Sequence, residues 1–443
     1  VNMLIKRAFV FTVIASALRQ IRDWLSNVIK TNSDAQASFA QLKAALLTLA
    51  QPLLNVLIPA FVTLVRVIAQ VVAALARLVS GLFGTTAKAS ADSAKALNDE
   101  TAAIKGAGSA AKKAGKSLAA FDEINQLSDS GSSGGGISID PDTNIVVTIG
   151  STEAMVDTIF ALTNPGDKIV MFSPYFENYR AQTIMAGCEP VFVPLVPPAF
   201  GFDPEVLEDA FRQHPKAILI CNPSNPSGKV FTYDELKLIA DLCIQYDVYA
   251  IMDEVYEHIV YEGHKHTYMS TLPGMRERTV CCSSLSKTYS VTGWRLGYAL
   301  APQNTMDRIK QYHDFNTVGA PSPLMEAAVV GLDMPMSYYE EFGAHYAHMK
   351  ALFTGGMKEL GIPFTDPQGT YFVLADISPF LKKGQSDVDF CVEMAQKIGV
   401  GAVPGSSFFD EDVNHIIRLH FAKKDETLNT ALERLSHLKD LAR

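Results

Sequence analysis

Four polar clusters in the sequence carry an amine, a carboxylate, hydroxyls and a guanidinium, a set able to hold and work on an anionic ligand. Lys287 lies in SSLSKTYSVTGWRLGY, residues 283–298, flanked by hydroxyls, with Arg295 eight residues later in a Gly-bounded turn. An isolated lysine is ordinarily a surface charge, but this one follows an apolar strand-like run. Asp253 ends another such run in YAIMDEVYEHIVY, residues 249–261. A carboxylate buried there is costly without a cationic partner, which a bound cofactor would supply. Tyr256 lies three residues on and reaches the same pocket. In CNPSNPSGKVF, residues 221–231, two Asn-Pro steps and a Ser-Gly follow a buried strand. This is either an ordinary turn or, given the repeat, a functional loop. In TIGSTEA, residues 148–154, a strand gives way to a helix at Ser151. Helix-start amides with the hydroxyls of Ser151 and Thr152 form an anion site, or simply an N-cap.

These clusters need a scaffold that gathers them. Strand-like runs at 145–149, 168–172, 190–194, 217–221, 248–253 and 279–283 alternate with helical stretches at 152–163, 176–186, 204–213 and 233–245. The alternation predicts an α/β fold with a mostly parallel sheet covered on both faces. Such sheets bind ligands at the carboxyl ends of their strands, where the polar clusters fall.

The order of anion loop, Asn-Pro-x-Gly, strand-terminal Asp-x-x-Tyr and Ser-x-x-Lys with a following Arg resembles the class I/II aminotransferases of the aspartate-aminotransferase-like superfamily. The resemblance covers about residues 140–443. NPSNPSGKVF, DEVYEHIVY and SKTYSVTGWRLGY are similar to the branch with kynurenine, methionine and aromatic aminotransferases. The resemblance implies a three-layer α/β/α fold (fold type I) with a smaller C-terminal α+β domain. It implies a large domain over 143–315 and a small one over 316–443, and pyridoxal phosphate as cofactor. Lys287 would form the Schiff base and move the substrate proton, with its pKa lowered by the pocket. Asp253 would pair with the pyridinium nitrogen, while Asn225 and Tyr256 would bond the ring oxygen. Ser151, Thr152, Ser284 and Arg295 would hold the phosphate. Phe176, in SPYFENY, would stack on the ring, a position where a Phe is otherwise core. DPQGTYFVLADIS and GVGAVPGSSFF read as a turn into a strand and a strand into a loop. Arg418, in IIRLHFA, would clamp the substrate carboxylate, with Asn225 also binding substrate, and is otherwise an ion-pair partner.

The first part of the chain reads differently. All six cysteines and all of the acidic excess behind the net charge of −9 lie after residue 142, since residues 1–142 are net positive. That balance argues against nucleic acid as the main partner. None of the cysteines sits in a C-x-x-C pair, which favours reduced thiols and a cytoplasmic protein. Residues 8–18 fit a signal peptide on paper, but the pattern runs on into RQIRDWLSNVIK as one amphipathic helix. Residues 44–83 are strongly apolar yet broken by Gln51, Pro52, Asn55 and Pro59, so a span, an interfacial helix and an oligomer contact stay open. Residues 85–120 turn Ala/Lys/Gly-rich, and 128–142 read as a Gly/Ser-rich linker. With GKSLAAFDEINQL, residues 1–127 resemble an all-α segment of phage tail tape-measure proteins. The aminotransferase family has its own N-terminal arm in this place, and no motif of it is legible here.

The expectation is therefore a homodimeric transaminase acting on an L-amino acid and a 2-oxo acid, weakened by a missing arm, with no metal centre. The alternatives are a C–S β-lyase on the same cofactor and a tail structural protein carrying an inactive passenger.

Overall fold

The computed structural model describes residues 139–441. The expected tape-measure-like helical segment over 1–127, the apolar stretch 44–83 within it and most of the linker lie outside the described residues. Seven strands form the main sheet: β1 (Ile145–Thr148), β2 (Lys168–Ser173), β3 (Glu189–Pro194), β4 (Ala217–Cys221), β5 (Tyr249–Asp253), β6 (Thr279–Ser284) and β7 (Gly297–Leu300). Their order is β1-β7-β6-β5-β4-β2-β3. β3, β2, β4, β5 and β6 pair in parallel, whereas β7 runs antiparallel to both β6 and β1. Six of these strands are expected from the sequence, and β7 is the addition.

Helices α1 (Gly150–Leu162), α2 (Asn178–Met185), α3 (Pro204–Arg212) and α4 (Tyr233–Tyr246) connect the first five strands. Local chemistry sets their starts. Asp203 caps α3 by accepting the Glu205 N–H, and Thr232 and Glu235 form a reciprocal capping box on α4. After β6 come the single turn α5 (Leu285–Thr288), then α6 (Gln303–Asn316) and α7 (Ser322–Leu332).

The central strands are apolar throughout because both faces are covered. Val170, Ile218, Ile220 and Ala250 face a core filled by Leu207, Phe211, Leu236 and Ile239 of α3 and α4. Their neighbours Ile169, Met171, Leu219 and Ile251 face a second core with Met155 and Ile159 of α1 and Met306 and Ile309 of α6. This is the expected three-layer arrangement. Met325, Ala328 and Leu332 of α7 pack with Ile145, Val147, Tyr298 and Leu300 of β1 and β7. The large-sheet packing thus continues past residue 315.

A second sheet, β8 (Phe372–Asp376), β9 (Val403–Pro404) and β10 (Ile416–His420), has the antiparallel order β8-β10-β9. It packs with α8 (Met336–Glu359), α9 (Asp387–Lys397), α10 (Asp425–Leu435) and α11 (Leu438–Leu441) around Phe353, Met357, Phe390 and Met394. Val255, Tyr256 and Ile259, which follow β5, are buried in this second core. The site segment thereby joins the two sheets. All six cysteines are buried and free.

Candidate active site

Parallel strands bring their carboxyl ends to one edge, so Cys221, Asp253 and Ser284, the last residues of β4, β5 and β6, meet there. A cavity of about 300 Å³ opens at this edge. Every residue singled out in the sequence lines it: Ser151, Thr152, Phe176, Asn225, Asp253, Tyr256, Ser284, Lys287, Arg295 and Arg418.

One end of the cavity is built for an anion. α1 starts immediately after β1, and its N-cap residue, Ile149, gives no side-chain cap. Its first-turn amides are therefore open to a ligand. Gly150 has φ +75°, and a Cβ there would lie 2.6 Å from Arg295 Nη2. A side chain at Gly297 would come within 2.4 Å of the Gly150 and Ser151 backbone. These two glycines let β7 and the Arg295 guanidinium close on the helix start. Arg295 Nη1 donates to the Thr292 carbonyl at 3.1 Å. Ser284 Oγ is engaged within its own loop: it donates to the Leu296 carbonyl and accepts the Ser286 N–H. Ser286, not singled out in the sequence, lines the same cavity, and its buried hydroxyl has no hydrogen-bond partner among the described residues.

At the cavity floor Asp253 is buried. Tyr179 donates its hydroxyl to Asp253 Oδ2 at 2.5 Å, and the Val255 amide approaches Oδ1 at 3.4 Å. Burial pushes the carboxyl pKa up; the hydrogen bonds and the Lys287 charge oppose this without cancelling it. Asp253 has no ion-pair partner among the described residues, so a cationic ligand group would relieve it. Tyr179 is the clearest residue that sequence reasoning missed. Its one signal was its place three residues after Phe176, whose ring it meets edge-on at 5.6 Å and 82°.

Lys287 sits on α5, its Nζ 5.8 Å from the Tyr256 ring centroid and 5.7 Å from that of Tyr371. Burial holds the Tyr256 phenol well above its usual pKa, hence neutral. Opposite, Arg418 projects from β10 with its Cζ 4.3 Å from the Phe372 ring centroid and 4.4 Å from that of Phe408. Nη1 donates to Asn225 Oδ1 at 2.6 Å. Burial lowers its pKa, offset in part by the Glu177 carboxylate. The two rings stabilise a planar cation that no described carboxylate neutralises.

The cavity therefore combines an anion cradle, a buried carboxyl short of a cation, an amine and a half-buried guanidinium. A phosphorylated aromatic base fits the first three: the unpartnered Ser286 hydroxyl and the Gly150 approach suit its phosphate, and Asp253 suits a protonated ring nitrogen. A carboxylate fits the fourth.

Comparisons with known proteins agree with this chemistry. The family model "Aminotransferase class I and II" matches residues 74–435. The match begins upstream of the anion loop, inside the stretch where no family motif is legible. The chain is 33% identical over 318 residues to the Mycobacterium tuberculosis protein described as "Probable N-succinyldiaminopimelate aminotransferase DapC", covering 69% of this chain and 79% of that one. It is 34% identical over 323 residues to human kynurenine–oxoglutarate transaminase 3, covering 67% and 71%. Among solved structures, N-succinyldiaminopimelate aminotransferase from M. tuberculosis superposes with a TM-score of 0.69 at 31% identity, covering 74% of this chain and 83% of that one. YbdL of Escherichia coli, whose structure is described with a methionine aminotransferase function, gives 0.69 at 30% identity, covering 74% and 84%.

Proposed function

The chain belongs to the class I and II aminotransferases, and from that premise we propose that it moves an amino group from an L-amino acid to a 2-oxo acid on pyridoxal phosphate held at the strand ends. The observation that carries this reading is the single cavity shared by Lys287, Asp253, Arg295 and Arg418. When bound, pyridoxal phosphate supplies a carbonyl that takes up the amino group and a protonated ring that draws electrons from the substrate Cα.

The protein's own residues do the rest. The α1 amides, Ser151, Thr152 and Arg295 hold the phosphate, with Ser286 adding a hydroxyl, while Ser284, expected there from the sequence, spends its one proton on the Leu296 carbonyl and braces the loop instead. Phe176 covers one face of the ring. Asn225 and Tyr256 bond the ring oxygen, and Tyr256, being neutral, donates to it. Asp253 keeps the ring nitrogen protonated. Lys287 Nζ would hold the carbonyl end of the cofactor and would carry the proton from the substrate Cα as general base, then general acid. Arg418 grips the substrate α-carboxylate, and its place between Phe372 and Phe408 presents the fork at a fixed angle. This clamp reads the carboxylate that all amino and 2-oxo acids share, so side-chain preference rests on other walls of the cavity.

The active form is a homodimer in this reading. Phe315, Val318 and Val330, exposed by 93%, 80% and 70% on and beside α6 and α7, support an apolar contact there. The named relatives are transaminases, and the β-lyase and tail-protein readings are set aside. Among the described residues, no helix is long and apolar enough to cross a membrane.

The test is the purified full chain titrated with pyridoxal phosphate. A visible absorbance band that is absent in Lys287→Ala, and amino transfer that requires added 2-oxo acid, support the reading. A band that survives Lys287→Ala sinks it, and product formed without a 2-oxo acid would return the β-lyase.

A further inference from the structure

Directly behind the anion cradle lies a buried charged cluster that the proposed chemistry does not use. Glu153, in the first turn of α1, accepts the Ile149 N–H at the helix start through Oε2. Its Oε1 accepts from the Thr317 hydroxyl and faces His313 Nδ1 at 3.0 Å. Asp157, one turn further along α1, has Oδ2 3.7 Å from the same nitrogen, and its Oδ1 accepts from Asn316 Nδ2 at 3.1 Å. His313, Asn316 and Thr317 close the end of α6. All three charged side chains are at least nine-tenths buried.

The ligand atoms of Glu153, Asp157 and His313 lie within 4.8 Å of one another, a spacing compatible with a cation site. The imidazole already fills that role. Burial disfavours the imidazolium, but the Asp157 and Glu153 carboxylates beside it, Glu153 within hydrogen-bond distance, raise its pKa to about 9. A metal would have to displace a proton held at neutral pH.

Two bare carboxylates so near a helix start would repel a phosphate there, and would offset the favourable helix dipole. The imidazolium offsets one of these two charges and draws the Glu153 carboxylate toward α6. Glu153 also takes up the Ile149 amide, so the amides after it remain for a ligand.

We propose that Glu153 and His313 are positioning residues for the phosphate end of the cofactor, fixing the first turn of α1 against α6. The inference rests on the pyridoxal phosphate reading above. It predicts an effect confined to the phosphate, since neither residue lines the cavity.

The test compares pyridoxal phosphate with pyridoxal, which lacks the phosphate, as ligands of the full chain and of Glu153→Ala, His313→Gln and Thr317→Val. Glu153→Ala and His313→Gln are expected to weaken pyridoxal phosphate about tenfold, the worth of a lost helix-start contact, and pyridoxal by no more than about twofold. Thr317→Val, which removes a single hydroxyl, lowers the same ratio by about threefold and serves if the charged variants do not fold. Equal losses for both ligands, no loss for either, or tighter phosphate binding by His313→Gln overturns the proposal. A wild-type chain without preference for the phosphorylated ligand would overturn the cofactor reading itself, which is a distinguishable result.

Discussion

Tyr179 and Asp253, on α2 and at the end of β5, share a hydrogen bond of 2.5 Å between the phenol and Oδ2. Burial and the Asp253 charge hold the phenol well above its usual pKa, so it acts as donor only. The bond therefore favours the ionised carboxylate and leaves Oδ1 for a ligand. Tyr179→Phe is expected to lower kcat by about tenfold to a hundredfold, the range for a hydrogen bond to a charged group. The cofactor spectrum should also become pH-dependent over a range where the wild type is flat. An unchanged kcat would mean that Asp253 needs no such partner.

Arg418→Lys keeps the charge but loses the flat fork that fits between Phe372 and Phe408. Because the clamp acts on a carboxylate that does not react, the loss should fall on KM. Steady-state kinetics should show KM for both the amino acid and the 2-oxo acid raised by about tenfold to a hundredfold, with kcat changed much less. A defect in only one of the two substrates would contradict a shared clamp.

Gly297→Ala tests how closely the seventh strand must approach the helix start. Its Cβ would meet the backbone of Gly150 and Ser151 at 2.4 Å and the Ser283 carbonyl at 2.8 Å. None of these belongs to a yielding side chain, so a destabilisation of about 1–3 kcal/mol is expected, together with weaker cofactor binding. Gly293→Ala in the same loop is the control, since nothing lies within 4 Å of a Cβ there. Denaturant midpoints of the two variants should separate clearly.

The charged cluster on α1 and α6 gives stability a defined pH window. His313 has a folded pKa of about 9 against an ordinary 6.5, so its contribution is complete below about pH 6.5 and is lost as pH rises through about 9. Glu153 is shifted the other way: hydrogen bonds from His313, Thr317 and Ile149 outweigh burial, so its share fades as pH falls below the carboxylate range. His313→Ala leaves two buried carboxylates without their cation and should cost about 3–5 kcal/mol near neutral pH. Thermal midpoints across pH 6–10 should fall in the wild type and stay level in His313→Gln.

Much of this architecture is legible before any coordinates, for a physical reason. A buried parallel strand must end in a polar turn at the ligand-binding edge, so Asp253, Ser284 and Asn225 are marked by the apolar runs before them. β7 escapes because it has four residues, opens on a glycine and shows no period. Tyr179 escapes because a tyrosine on a short helix looks like packing, and its partner lies 74 positions away. Ser286 hides among neighbouring serines, and only geometry separates its open hydroxyl from that of Ser284. The seat of α7 escapes too, since an apolar helix face does not declare which sheet it covers.

Ser284 and Gly297 are register partners across the antiparallel β6–β7 pair. The stretch between them carries Lys287, Ser286 and Arg295, and both of its ends are stitched to adjacent positions of one rigid frame. It is in effect a closed cassette: a replacement of equal span could be grafted there without redrawing the sheet. New chemistry at this edge could then be sampled through one short insert, while the rest of the scaffold stays as it is.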